Sequence, residues 1–287
     1  MISSYYLNGL EGRRASREYK MLGNNVIQQG GGLAVPSDDA ESDGFGYVVP
    51  GWSAPANVRA LTTTRNGGYS QLGGTKSLNL GINTSDSIDL VKHNRSFLRK
   101  SLALNNEPVW LEQVHGTEII NLSSQINSLV ADGAVTNVNG QICAILTADC
   151  LPLFLCDRFG EQVALLHVGW RGLAAGIVEK GVGLFKASPF DLVAWAGPAI
   201  SQTSFEIGNE VREQVGGSKD HYYPSQRKGR CYADLYKLVR DRLNKVGVSE
   251  YGWDVHCTFQ DASSFYSYRR DPDCGRMASL IWKSEYS

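Results

Sequence analysis

The sequence predicts an α+β fold, a single layered domain of mixed β-sheet packed with helices, and three observations carry that reading. Short apolar or alternating runs bounded by Gly, Asn and Asp recur through the middle of the chain, which is the pattern of strands. Two stretches carry apolar residues at helical spacing. Strands and helices alternate without a regular βαβ rhythm and no internal repeat is visible, which disfavours a doubly wound or solenoid architecture. The 287 residues, 42% hydrophobic and 20% charged, are enough to bury a full core.

Taken in order, residues 1–45 stand apart. The segment QQGGGLAVPSDDAESDGFG is rich in Gly, Ser and Asp and has no periodic apolar face, so residues 1–45 are read as an extension, flexible or a cloning remnant. Residues 46–287 form the expected catalytic domain. VRALTTT (58–64) reads as a strand that ends at the turn Arg65-Asn66-Gly67-Gly68. A helix follows with Asp86 as its N-cap and Ile88, Val91, Arg95, Leu98 and Leu102 at helical spacing. The runs at 108–114, 141–148 and 162–168 read as strands, 170–182 as a helix and 191–197 as a further strand. A last helix presents Leu235, Leu238, Val239, Leu243 and Val246 as a core stripe before Gly247.

Composition narrows the function. Lys and Arg number 28 against 29 for Asp and Glu, and no long basic run is present, so nucleic acid is not an expected partner. No apolar run reaches the roughly 20 residues of a membrane span and the N-terminus lacks a signal-peptide core, so a cytoplasmic protein is expected. Six cysteines are too sparse for a disulfide scaffold and are read as thiols.

Three residues stand out chemically. His115 lies at the end of one strand run and is followed by Gly116, and His167 lies at the end of another, in LLHVGWRG, where glycines allow a bound group close to the backbone. Cys150 follows ThrAlaAsp at a strand boundary. Two imidazoles and a thiolate are ligands zinc prefers, and three protein ligands leave a fourth position for water or substrate. Their spacing matches no compact finger pattern, and a satisfied core histidine or an inert buried thiol is the bland alternative. The other histidines, His93, His221 and His256, have ordinary surface or core settings.

WLEQVHG (110–116), TADCLP (147–152), HVGWRGLAAG (167–176), WAGPAI (195–200), FEIG (205–208) and FYSYRRD (265–271) together resemble the bacterial YfiH family, described as polyphenol oxidase or laccase-like and related to the human purine-metabolising protein FAMIN. The likeness runs from about Val48 to Trp282, and residues 1–45 fall outside it. It implies an α+β domain with zinc held by His115, Cys150 and His167. It also implies phosphorolysis of adenosine, inosine, guanosine and 5′-methylthioadenosine, with deamination of adenosine; copper-dependent oxidation of phenols is the older attribution.

The residues suggest how such reactions would be served. Phosphorolysis needs phosphate held against the anomeric carbon, and Arg65, Arg269 and Arg270 are candidates for that anion, although most arginines are simply solvated or salt-bridged. Deamination would use the open metal position, with Asp149 shuttling protons or orienting a ligand from behind. Asn79 and Gln113 are candidate base or ribose contacts, or amides that close turns. Two rival chemistries use the same residues: a metal-free Cys/His hydrolase with Cys150 as nucleophile, and a copper polyphenol oxidase at which copper would occupy the zinc ligands. Multicopper oxidation generally needs many histidines, and the chain has five. The sequence does not fix the oligomeric state.

Overall fold

A computed structural model describes residues 45–253 and 256–284, together with the backbone of a two-stranded antiparallel hairpin, Tyr19–Leu22 with Asn25–Gln28. Apart from that hairpin and Phe45, the expected extension lies outside the described residues. Phe45, its last residue, is buried and packs edge-on against Phe97.

The architecture has two stacked sheets with helices outside them. One sheet has five strands in the order Tyr47–Val48, Val58–Thr63, Met277–Lys283, Ile142–Thr147, Val109–Trp110. The other has six, in the order Glu250–Trp253, Leu192–Ala196, Leu151–Asp157, Val163–Val168, Gly133–Thr136, Ile119–Asn121. Both are mixed: one edge pair in the first sheet and both edge pairs in the second are parallel, the rest antiparallel. A three-stranded antiparallel sheet, Glu206–Gly208, Arg230–Ala233 and Tyr222–Pro224, lies outside them.

Alternation along each strand builds the layers. On Leu151–Asp157, Leu151, Leu153 and Leu155 face the helices, while Phe154 and Cys156 face the other sheet and meet Ile145, Met277 and Ile281. The far side of the five-stranded sheet packs through Leu61, Ala144 and Leu280 onto Leu98 of the helix Ile88–Ser101. Both faces of both sheets are therefore covered, so the central strands read as unbroken apolar runs. Phe154 is fully buried, and truncating such a residue to Ala costs about 3–5 kcal/mol.

Several expected elements take a different form. Ser87, not Asp86, is the N-cap of Ile88–Ser101. The Asp86 carboxylate instead accepts from Ser70 Oγ and Asn79 Nδ2, tying down the preceding loop. The single helix expected over 170–182 is two, Trp170–Ala174 and Ile177–Val182, because Gly176 between them has φ +91°. The strand expected over 108–114 is only Val109–Trp110. The helix Leu235–Lys245 forms as expected, capped by Asp234, whose carboxylate accepts from Lys237 N. No helix among the described residues is long and apolar enough to cross a membrane.

Candidate metal centre

Two of the three singled-out side chains sit where the chain passes from one sheet to the other. Residues 111–118 connect Val109–Trp110 of the five-stranded sheet to Ile119–Asn121 of the six-stranded sheet, and they carry His115. Residues 148–150 connect Ile142–Thr147 to Leu151–Asp157 and carry Cys150. His167 lies on Val163–Val168, on the face that carries Leu165 toward the space between the sheets. The two crossings and the strand end meet at one end of the sandwich.

One nitrogen from each imidazole and the Cys150 sulfur lie within 4.8 Å of one another. His115 Nε2 is 3.9 Å from Cys150 Sγ, close to the roughly 3.6 Å that separates sulfur and nitrogen ligands around a tetrahedral zinc. The two rings meet edge to face with centroids 4.7 Å apart. His115 is exposed, Cys150 half-buried and His167 buried, so the cluster opens to solvent on the His115 side. This group can hold a metal ion, and its geometry leaves room for a ligand from outside.

Asp132, which the sequence did not point out, organises the site. It is fully buried and its Oδ1 accepts a 2.8 Å hydrogen bond from His167 Nδ1, leaving Nε2 of that ring to face the cluster. The same carboxylate accepts from three successive backbone N–H groups, Val114, His115 and Gly116, at 3.2, 2.9 and 2.6 Å. That wrap requires the left-handed backbone seen at His115, φ +61°. The only sequence trace of this role is an acid followed by Gly133 at the start of a strand.

Charge follows geometry. Burial pushes the Cys150 thiol up, but the charge of His167 and hydrogen bonds from both imidazoles outweigh it and bring it down to about 6. Burial pushes His167 down, and the Cys150 thiolate with the Asp132 carboxylate reverse this and raise it to about 9. Asp132 is pushed up by burial and held below the ordinary carboxylate range by His167 and the backbone donors. Without metal the site is a thiolate–imidazolium pair backed by a carboxylate.

Gly169 closes the floor. A Cβ there would lie 3.0 Å from His115 Cδ2 and 3.1 Å from Cys150 Sγ, so the bare backbone lets these two ligands approach without being pushed apart.

The other expected residues are committed elsewhere to different degrees. Asp149 has φ +89°, and its carboxylate accepts from Thr258 Oγ1, Ser267 Oγ and Arg269 N, fastening the late loop to the segment that carries Cys150. Asn79 is fully buried and spends its amide on Gly81 N, Arg276 N, Thr84 and Asp86. Gln113 exchanges two bonds with the backbone of Leu146, extending the sheet edge. Arg270 donates to the carbonyls of Thr258, Phe259 and Phe265. Arg269 donates to Glu206 O and lies over Phe205, while Arg65 lies over Tyr266 with a single bond to Ala262 O. All six cysteines are free.

The chain has counterparts among known proteins. Residues 59–284 match the family model described as multi-copper polyphenol oxidoreductase laccase. The chain belongs to this family. It is 44% identical over 238 residues to the purine nucleoside phosphorylase YfiH of Escherichia coli K12, covering 82% of this chain and 98% of that one. It is 41% identical over 240 residues to a purine nucleoside phosphorylase of Haemophilus influenzae, covering 82% and 98%. Among solved structures, the Neisseria meningitidis protein NMB0706 superposes with a TM-score of 0.77 at 39% identity, covering 83% of this chain and 99% of that one. YlmD of Geobacillus stearothermophilus superposes with a TM-score of 0.75 at 30% identity, covering 80% and 93%. The YfiH resemblance and the α+β single-domain fold are therefore established.

Proposed function

We propose that this chain is a zinc-dependent purine nucleoside phosphorylase that acts on adenosine, inosine, guanosine and methylthioadenosine and also deaminates adenosine. The observation that carries the reading is a cluster of three ligands among the described residues, His115, Cys150 and His167, open to solvent beside the exposed imidazole. Relatives at 44% and 41% identity named purine nucleoside phosphorylase support the substrate class. Bound zinc would supply a Lewis acid able to polarise an oxygen of phosphate or water.

The chain's own residues would do the rest. In phosphorolysis a phosphate oxygen forms a bond to C1′ while the C1′–N9 bond breaks and its electron pair leaves with the purine, which then takes up a proton. Holding the phosphate requires cationic donors with free valence. Arg65 retains more of its guanidinium than Arg270, so Arg65 is the better anion ligand, with Arg269 between them. The same reading places the enzyme in the cytoplasm.

A second reading has one observation in its favour. Cys150, His167 and Asp132 line up as thiol, imidazole and carboxylate, the order of a nucleophilic hydrolase that needs no metal. The copper oxidase reading rests on the family description and on copper's affinity for the same ligands.

Product analysis separates these. Adenosine incubated with zinc-loaded enzyme and phosphate should yield adenine and ribose 1-phosphate, and without phosphate only inosine. Absence of both products would reject adenosine as a substrate, and the same result with inosine, guanosine and methylthioadenosine would reject nucleosides. Activity that survives chelation but not alkylation would favour the thiol hydrolase, and phenol turnover confined to copper-loaded enzyme would favour the oxidase.

A further inference from the structure

We infer that Asp132 is a positioning residue that fixes which nitrogen of His167 faces the metal, an inference that rests on the metal reading of the site. The strand register sets up the pair. Gly133 pairs with Leu166 across the antiparallel strands, so Asp132 and His167 occupy the next rung and face each other directly. The main chain secures that rung: His167 N donates to Asp132 O at 2.8 Å, and Asp132 N donates to Glu118 O at 2.8 Å. The side chains then join the same two residues a second time, Nδ1 to Oδ1 at 2.8 Å.

Both partners are buried, with His167 3% exposed and Asp132 0%. A buried imidazole must satisfy its second nitrogen, and here Nδ1 meets a carboxylate whose orientation is locked by three backbone donors. The carboxylate cannot turn away without abandoning Val114, His115 and Gly116. A proton is thus held on Nδ1, and Nε2 is the nitrogen turned into the cluster. Through the backbone at 114–116 the same carboxylate also seats the loop carrying His115, so one buried side chain governs the approach of two ligands from different elements. Partners of this kind typically contribute 10- to 100-fold to metal affinity.

The test uses zinc ions alone as probe, with affinity measured by chelator competition and the His167 tautomer by nitrogen-15 NMR of histidine-labelled protein. The parent chain is expected to bind zinc with the proton on Nδ1. Asp132→Ala is expected to bind about 10- to 100-fold more weakly and to show His167 as mixed tautomers. Asp132→Asn, which preserves shape, supplies the same comparison if the Ala variant does not fold. In a His167→Gln background, Asp132→Asn should cost less than it does in the parent, because part of its effect passes through the missing ring. Zinc affinity within threefold of the parent for both Asp132 variants, or an unchanged single tautomer, would overturn the inference while leaving the metal centre standing. Failure of the parent chain itself to bind zinc would overturn the metal reading and this inference with it.

Discussion

The backbone nitrogen of Gly116 lies 2.6 Å from Oδ2 of Asp132, the shortest of the three main-chain contacts that close the His115 loop around a buried carboxylate. A loop ligand and a strand ligand are thereby referred to the same fixed point. From that relationship and the contacts around it, specific outcomes are expected.

Gly169→Ala should weaken the metal site without unfolding the domain. The added Cβ would press on His115 Cδ2 and Cys150 Sγ at 3.0 and 3.1 Å, so the ligands must move apart by a few tenths of an ångström. We expect about a tenfold loss of zinc affinity, or roughly 1.4 kcal/mol, with an unchanged circular dichroism spectrum. Chelator competition measures the first and far-ultraviolet dichroism the second.

The metal-free thiol should titrate early. With Cys150 brought down to about 6, its alkylation by iodoacetamide should rise with pH through a midpoint near 6, where an unperturbed thiol rises near 9.0. His167→Gln removes the charge that lowers it, and the midpoint should move up.

Zinc affinity should fall as pH falls. Between about 6 and about 9 the free site is thiolate and imidazolium, so binding must displace one proton from His167. Affinity should therefore drop about tenfold per pH unit across that window, and more steeply below about 6, where Cys150 must also lose a proton. Competition titrations at several pH values, with proton release followed in weak buffer, check the sign and the slope.

Asp149→Ala should act on stability. Its loss leaves Thr258, Ser267 and the Arg269 N–H without their acceptor, at a cost of about 1.5–3 kcal/mol measurable by urea denaturation. A catalytic Asp149 predicts the opposite pattern, in which Asp149→Asn keeps stability and metal but loses turnover.

Arg65 and Arg270 should separate kinetically. Arg65→Ala is expected to raise the KM for phosphate about tenfold with little change in stability. Arg270→Ala removes three bonds to carbonyls and should chiefly destabilise the fold.

Two kinds of element are legible in the sequence: helices with one face toward water, and apolar strands cut off by Gly, Asn or Asp. Leu235–Lys245 shows its stripe and its Asp234 cap because one side faces water. Ile142–Thr147 and Val163–Val168, covered on both faces, show as apolar runs bounded by Gly, Asn and Asp, whereas Leu151–Asp157 and Met277–Lys283, equally covered, are not read as strands. Pro152 near the start of Leu151–Asp157 added a misleading break. The ligands were legible as chemistry, two imidazoles and a thiol beside glycines. Asp132 was not, because its meaning depends on a cross-strand rung and a backbone turn that no local pattern encodes. Asp149 drew attention only as the neighbour of Cys150, whereas its carboxylate is turned to the late loop.

Metal content of the purified chain beside its Cys150→Ala variant tests the central claim most directly. The account predicts about one zinc per chain in the parent and loss of that metal, with loss of nucleoside turnover, in the variant. A variant that retains its full complement of metal would contradict it.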